Sequence, residues 1–236
     1  MILNKDDDIV KEFSIEAKGK IIYFGNEYIK DSFVLEDEYI TYNKKKIIDT
    51  NKLKLRGYHN YINICAALNA ISVLIELPLD KLEDIVKDIN SVPHRLEFVR
   101  ELNGVRWYND SASTTPDKAL AGINAFHEDI VLIAGGYDKN IDYNVMAKPI
   151  LDKVSKLILF GDTKNKIYNA VMDLSKVTGK SINIYVLDTL EEVVEAAFQV
   201  SEAGEVVLFS PASASFDMFK NAYQRGDKFR ELVKNL

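Results

Sequence analysis

One cysteine in 236 residues, Cys65, leaves this chain unable to form an internal disulfide or a multi-cysteine metal site. Histidine is nearly as scarce, and His59 and His94 are far apart with no partner at metal-ligand spacing, so a metal site is not expected. Positive charge is in deficit: 30 Lys and Arg against 36 Asp and Glu give a formal net charge of -6. A general binder of nucleic acid or acidic membrane needs a basic face, so neither is an expected partner. No segment reaches membrane-spanning length, and the start, MILNKDDD, has no apolar signal-peptide core. A cytoplasmic protein is therefore expected. G-x-G-x-x-G is also missing, which argues against a Rossmann-type dehydrogenase. What is present is ordinary for a soluble protein, with 47% hydrophobic and 28% charged residues, enough for one large core or two domains.

The first ninety residues and the remainder read differently. Residues 20–24, 33–35 and 39–42 have the character of short strands in a small meander, and Lys44-Lys45-Lys46 reads as a solvated turn. Helical spacing follows over 59–77, with Pro78 ending that element and opening a second helix over 79–89. Cys65 sits in the apolar pattern Ile62, Cys65, Ala66, Leu68, Asn69, which predicts a buried structural thiol rather than a nucleophile. The polar stretch Asn90-Ser91-Val92-Pro93 marks a domain boundary, giving regions 1–92 and 93–236. Beyond it, 96–99 and 105–108 read as a hairpin around Asn103-Gly104. Apolar runs at 130–134, 157–160, 182–186 and 206–209 then alternate with amphipathic stretches at 143–154, 164–174 and 190–200. That rhythm predicts a parallel sheet with helices on both faces.

Ligands of open parallel sheets sit beyond the carboxyl ends of the strands. The residues there are N109-DSASTTP-116, GGYDK at 135–139, Gly161-Asp162, Asp188-Thr189 and SPASAS at 210–215. The last turn carries three hydroxyls and precedes a helical pattern of Phe216, Phe219 and Tyr223. Ser213 and Ser215 either cap that helix or meet an anion at its N-terminus. Asp110 can hold a ribose hydroxyl, a metal ion or an ammonium group, whereas Thr114 or Thr115 is the natural cap for a helix beginning near Pro116. Gly135-Gly136 allows close backbone approach. Lys139 is either an anion contact or an exposed loop lysine, and Arg95 either a phosphate contact or a salt-bridge partner.

Together LRGYHNYINICAALNA, VPHRLEFV, NGVRWYNDSAST, IAGGYDKNIDY and LFSPASASFDMFKNAYQRGDKF occur in the order found in the Mur ligases, and the chain resembles that family over essentially its whole length. GGYDKNIDY with SPASASFDMFKN resembles the branch that adds D-glutamate to UDP-MurNAc-L-alanine. The resemblance implies ATP-dependent amide formation in peptidoglycan-precursor synthesis, through an acyl phosphate, with magnesium offsetting phosphoryl charge. It also implies an α/β fold: a C-terminal Rossmann-like parallel-sheet domain, 93–236, preceded by strands and helices, 1–92, that resemble the incomplete tail of a central ATP-binding domain. By motif position, Asn63 resembles the residue that reads adenine, and Arg95 and Asp110 those that contact phosphates and ribose. Thr114, Lys139 and Ser215 resemble the groups that hold the D-glutamate carboxylates.

Two positions depart from the family pattern. Ala112 stands where a lysine is frequent, and Ala222 where an aromatic residue usually follows Phe-Lys-Asn, with Tyr223 shifted by one. A larger difference is the lack of any G-x-x-G-K-[ST] phosphate loop, since Gly19-Lys20-Ile21 has neither the upstream glycine nor the hydroxyl residue. The expectation is a partial ligase, inactive alone, with ATP and magnesium as cofactors of the complete enzyme and an N-terminal ligase half as partner. A non-catalytic α/β module that binds an amino acid or nucleotide is the alternative.

Overall fold

The strands of the second half alternate sides with period two, and both sides are apolar. Such a sheet is stable only when helices cover both faces. A computed structural model describes residues 1–236 and divides them into two compact units, Met1–Asn90 and Ser91–Leu236. In the second unit β6 (Glu97–Leu102) and β7 (Val105–Asn109) form the expected hairpin, with Asn103 and Gly104 both at positive φ in its two-residue turn. Then follow α4 (Pro116–Ile123), β8 (Ile130–Gly135), α5 (Asn144–Lys153), β9 (Val154–Phe160), α6 (Lys164–Thr178), β10 (Asn183–Val186), α7 (Leu190–Val200), β11 (Val206–Phe209) and α8 (Ala222–Asn235). The sheet order is β10-β9-β8-β11-β7-β6, parallel throughout except at β6.

Alternation divides the strand residues between two cores. Ile130, Leu132, Leu157, Leu159 and Leu208 pack with Ile123, Met146, Ile150 and Ile167 of α4, α5 and α6. Val131, Ile133, Ile158, Phe160, Val207 and Phe209 pack with Val193, Ala197, Phe229 and Val233 of α7 and α8. The chain leaves β8 toward β9 on one side, and β11 returns to β8's other side. That reversal makes the carboxyl ends of β8 and β11 a topological switch point, the place where such sheets take ligands in a crevice.

The first unit is built differently. β3 (Phe33–Glu36), β4 (Tyr39–Tyr42) and β5 (Lys45–Asp49) form an antiparallel meander packed on α2 (Tyr58–Ser72) and α3 (Leu82–Val86) through Phe33, Ile40, Ile48, Cys65 and Leu68. Buried Asn69 pins α2 to β3, accepting the Phe33 N–H at 2.9 Å and donating to the Phe33 carbonyl at 2.8 Å. Burial pushes the Cys65 thiol up to about 12, so it is a packing group and not a nucleophile. A separate parallel pair, β1 (Ile2–Asn4) and β2 (Ile22–Phe24), flanks α1 (Asp8–Glu16), a helix with no buried residue.

Several local expectations are corrected. The lysine run is not all turn: Asn43 and Lys44 turn at positive φ, and Lys45 and Lys46 open β5 with exposed side chains. The helix expected over 59–77 stops at Ser72, where Val73, Leu74 and Ile75 find nothing to bury against, and the helix over 79–89 shrinks to α3. No helix follows SPASAS directly. Met218 and Phe219 N–H groups both reach the Ser215 carbonyl in a single turn, and α8 begins at Ala222 with Asn221 as its cap. Ser213 and Ser215 therefore cap no helix, and no helix N-terminus stands behind them. No helix is long and apolar enough to cross a membrane.

Candidate functional site

The crevice is built from backbone before side chains enter it. Gly135 N–H donates to the Pro211 carbonyl at 2.8 Å, Tyr137 N–H to Ala214 at 2.9 Å, and Thr163 N–H to Gly136 at 3.0 Å. These bonds lace together the loops after β8, β9 and β11. Gly136 holds φ +143°, and a Cβ there would fall onto the Ala214 carbonyl oxygen, so only glycine permits this approach. Beneath the joint, Ser213 Oγ bonds Tyr143 Oη at 2.7 Å and Thr163 Oγ1 at 2.9 Å. Ser213 thus completes a buried hydroxyl trio.

Arg225 is the keystone. It is 0% exposed on α8, yet no carboxylate bonds it. Its guanidinium donates to the carbonyls of Ala214 (2.9 Å), Ser213 (2.9 Å) and Ser111 (3.0 Å), and Nε to Ser111 Oγ at 3.1 Å. One side chain thereby fixes the loop after β7 against the loop after β11. Burial lowers its pKa to about 10, still well above neutral, so the guanidinium stays charged.

Asp110 is a second staple. It is 5% exposed, with Oδ2 accepting from Ser113 Oγ (2.5 Å) and Ser210 Oγ (2.8 Å) and Oδ1 from Leu96 N–H (3.2 Å). Burial raises its pKa to about 6, opposed by those hydrogen bonds and by the charge of Arg95. A carboxylate offers about four acceptor directions, so roughly one remains for a ligand hydroxyl. His94 is buried beside it, with Nδ1 3.0 Å from Asn109 Nδ2, and Asn109 also donates to the Gly226 carbonyl at 3.0 Å. Asp217 is held against Gly161, its Oδ2 buried without a hydrogen-bond partner, and burial raises its pKa.

The structure gathers most of the residues proposed from sequence at this end of the sheet. Ser215 is buried at the head of the final turn, one residue beyond the Tyr137–Ala214 bridge, and Lys139 is exposed two residues beyond Tyr137. Thr114 is half-buried after Ser113, and Arg95 is exposed beside Leu96. Asn63 is exposed on α2 and belongs to the first unit, so it is not one of this cluster. Arg225 escaped sequence reasoning, although the spacing Arg225, Phe229, Val233 sets it on the buried stripe of α8. No group of three or more His, Cys, Asp or Glu side chains converges in a way that could hold a metal ion.

Residues 94–213, from the buried histidine to the hydroxyl trio, match the family model described as Mur ligase, glutamate ligase domain. The chain belongs to the Mur ligase family. Among the relatives of this Mur ligase chain, UDP-N-acetylmuramoylalanine–D-glutamate ligase of Clostridium tetani is 37% identical over 237 residues, covering 100% of the chain and 51% of that relative. The chain spans about half the length of the curated relatives it matches. Among solved structures, UDP-N-acetylmuramate-alanine ligase of Thermotoga maritima has a TM-score of 0.63 at 19% identity, over 91% of this chain and 48% of that one. A bifunctional folylpolyglutamate synthase/dihydrofolate synthase of Yersinia pestis, complexed with AMPPNP and Mn ion, has a TM-score of 0.59 at 10% identity, over 95% and 50%. At these identities the likeness is one of fold.

Proposed function

We propose that this chain supplies the amino-acid-binding half of a ligase that joins D-glutamate to UDP-N-acetylmuramoyl-L-alanine. What supports this reading is that Lys139 and Ser215 stand on the loops after β8 and β11, which the Tyr137–Ala214 bridge joins, within a chain matched end to end by D-glutamate ligases. D-glutamate brings two carboxylates and an amine. Lys139 supplies the cation for one carboxylate, while Thr114 and Ser215 supply O–H donors. None of the three is an acid that would pair with the amine, whose lone pair must stay available to attack. Arg95 offers an exposed guanidinium to a phosphate, Asp110 its remaining acceptor direction to a ribose hydroxyl, and Asn63 an exposed amide to adenine. Residues 1–92 are read as the tail of a central ATP-binding domain, and residues 93–236 as the amino-acid domain.

In a complete ligase ATP would give its γ-phosphoryl group to the carboxylate of UDP-N-acetylmuramoyl-L-alanine and leave as ADP, and the D-glutamate amine would then displace that group as phosphate. The residues present here do not fit the triphosphate or its magnesium, because the chain has no G-x-x-G-K-[ST] loop and no converging carboxylates. No step of activation is therefore assigned to this chain. The test is phosphate release from ATP, UDP-N-acetylmuramoyl-L-alanine and D-glutamate, with and without a separately produced polypeptide matching the other half of the relatives. The chain alone releases none, and the added half restores turnover. Release by the chain alone at an ordinary enzyme rate, about 1 per second or more, overturns the reading. The missing phosphate loop also favours a second reading, a non-catalytic module, which binding of D-glutamate without restored turnover would support.

A further inference from the structure

Near Lys139 stands an aromatic pair that the core does not use. Phe216 is 60% exposed and Tyr137 39% exposed, although the strands they follow, β11 and β8, are buried along their whole length. Their rings meet edge to face, with centroids 5.8 Å apart and planes at 75°. The pairing is imposed by backbone, because Tyr137 bridges Ala214 two residues before Phe216. Lys139 Nζ then lies 5.8 Å from the Phe216 centroid, within range of a cation–π contact. Lys139 has no carboxylate partner. The adjacent Asp138 is already engaged by Lys166 at 2.6 Å and by the Asn140 N–H at 2.7 Å.

We infer that Tyr137 and Phe216 form an aromatic clamp that holds Lys139 at the mouth of the crevice and gives a dicarboxylic amino acid an apolar wall for its methylene carbons. Toward the ligand carboxylate Phe216 is a positioning residue, acting through Lys139. A flexible lysine in water spreads over many rotamers, and fixing it costs entropy at the moment of binding. The clamp meets part of that cost beforehand. A π face attracts the ammonium more weakly than a carboxylate does, so Lys139 transfers to the ligand when one arrives. This inference rests on the D-glutamate reading of the site and adds to it the residues that set its affinity and chain-length preference.

The experiment has two arms on the full chain. In the first, side-chain NMR of Lys139 without ligand reads the ring current of Phe216. An upfield shift of the Lys139 ε-methylene protons is expected, lost in Phe216→Leu and kept in Phe216→Tyr. Equal shifts in wild type and Phe216→Leu overturn the clamp. In the second, calorimetry with D-glutamate is expected to show Kd rising roughly 2–5-fold in Phe216→Leu, with Phe216→Tyr restoring it. In a Lys139→Met background the same Phe216→Leu change has no further effect through the lysine. If D-glutamate binds wild type and Phe216→Leu equally, the clamp fails and the site reading stands. If wild type shows the ring-current shift but binds no D-glutamate, the site reading fails and the inference with it.

Discussion

The two units of this chain use strands in opposite ways, and each carries its own reporter. In the second unit every parallel strand but the edges is buried on both faces, and the loops at one end are laced by backbone bonds and a buried guanidinium. In the first unit a meander and α2 share one core, with Phe24 of β2 packed against it, while α1 buries no residue. The contrast teaches that the second unit's loop geometry is held by many interlocked terms, whereas α1 is held by few. Trp107, the only tryptophan, is buried in the second unit, and Cys65, the only cysteine, is buried in the first. Fluorescence and thiol labelling therefore follow the two units separately.

The largest effect expected is that of Arg225→Met. It leaves the carbonyls of Ser111, Ser213 and Ala214 without their donor, at a cost of about 3 kcal/mol or more, since each buried orphan costs ~1–3 kcal/mol. Urea unfolding followed by Trp107 fluorescence measures it, and Cys65 labelling keeps its wild-type midpoint. Next comes Asp110, with its pKa raised to about 6 from 3.8. Between those values the folded state binds a proton that the unfolded state has released. Its contribution is therefore full below about pH 4 and is lost as pH rises to about 6, by about 3 kcal/mol at most. Asp110→Asn removes this dependence, seen as the difference between the two urea midpoints from pH 4 to 7.

A smaller loss separates caps from cores. Thr189 and Glu192 form a capping box on α7, and Thr189→Ala costs about 1 kcal/mol by the same fluorescence readout. The smallest effect belongs to α1. Phe13→Ser changes the Cys65 labelling midpoint by less than about 0.5 kcal/mol, because Phe13 is exposed on a helix without a buried residue. A loss of several kcal/mol there would erase the contrast between the units.

How much of this was legible in the sequence follows the same division. The continuous runs of β8, β9 and β11 announce buried parallel strands, and Asn103-Gly104 announces the hairpin. α1 and β1 left no comparable signal, since α1 has no buried residue and β1 is only three residues long, with Leu3 alone buried. The stretch after Ser215 misled because Phe216, Phe219 and Tyr223 have helical spacing, yet Met218 and Phe219 N–H groups close a single turn on the Ser215 carbonyl and Asn221 starts the helix. Thr114, Lys139 and Ser215 stand on loops that the strand pattern marks as strand ends, and their proposed roles come from motif resemblance. Arg225 was not, because its bonds to Ser111 join residues 114 apart and end on backbone carbonyl and serine oxygens that no local pattern marks.

The central claim is that these loops form an amino-acid site, and titration calorimetry of D-glutamate into the full chain tests it most directly. The account predicts saturable one-to-one binding, weakened about tenfold or more by Lys139→Met, which removes a charge-assisted contact. Absence of binding, or binding undiminished by both Lys139→Met and Ser215→Ala, would contradict it.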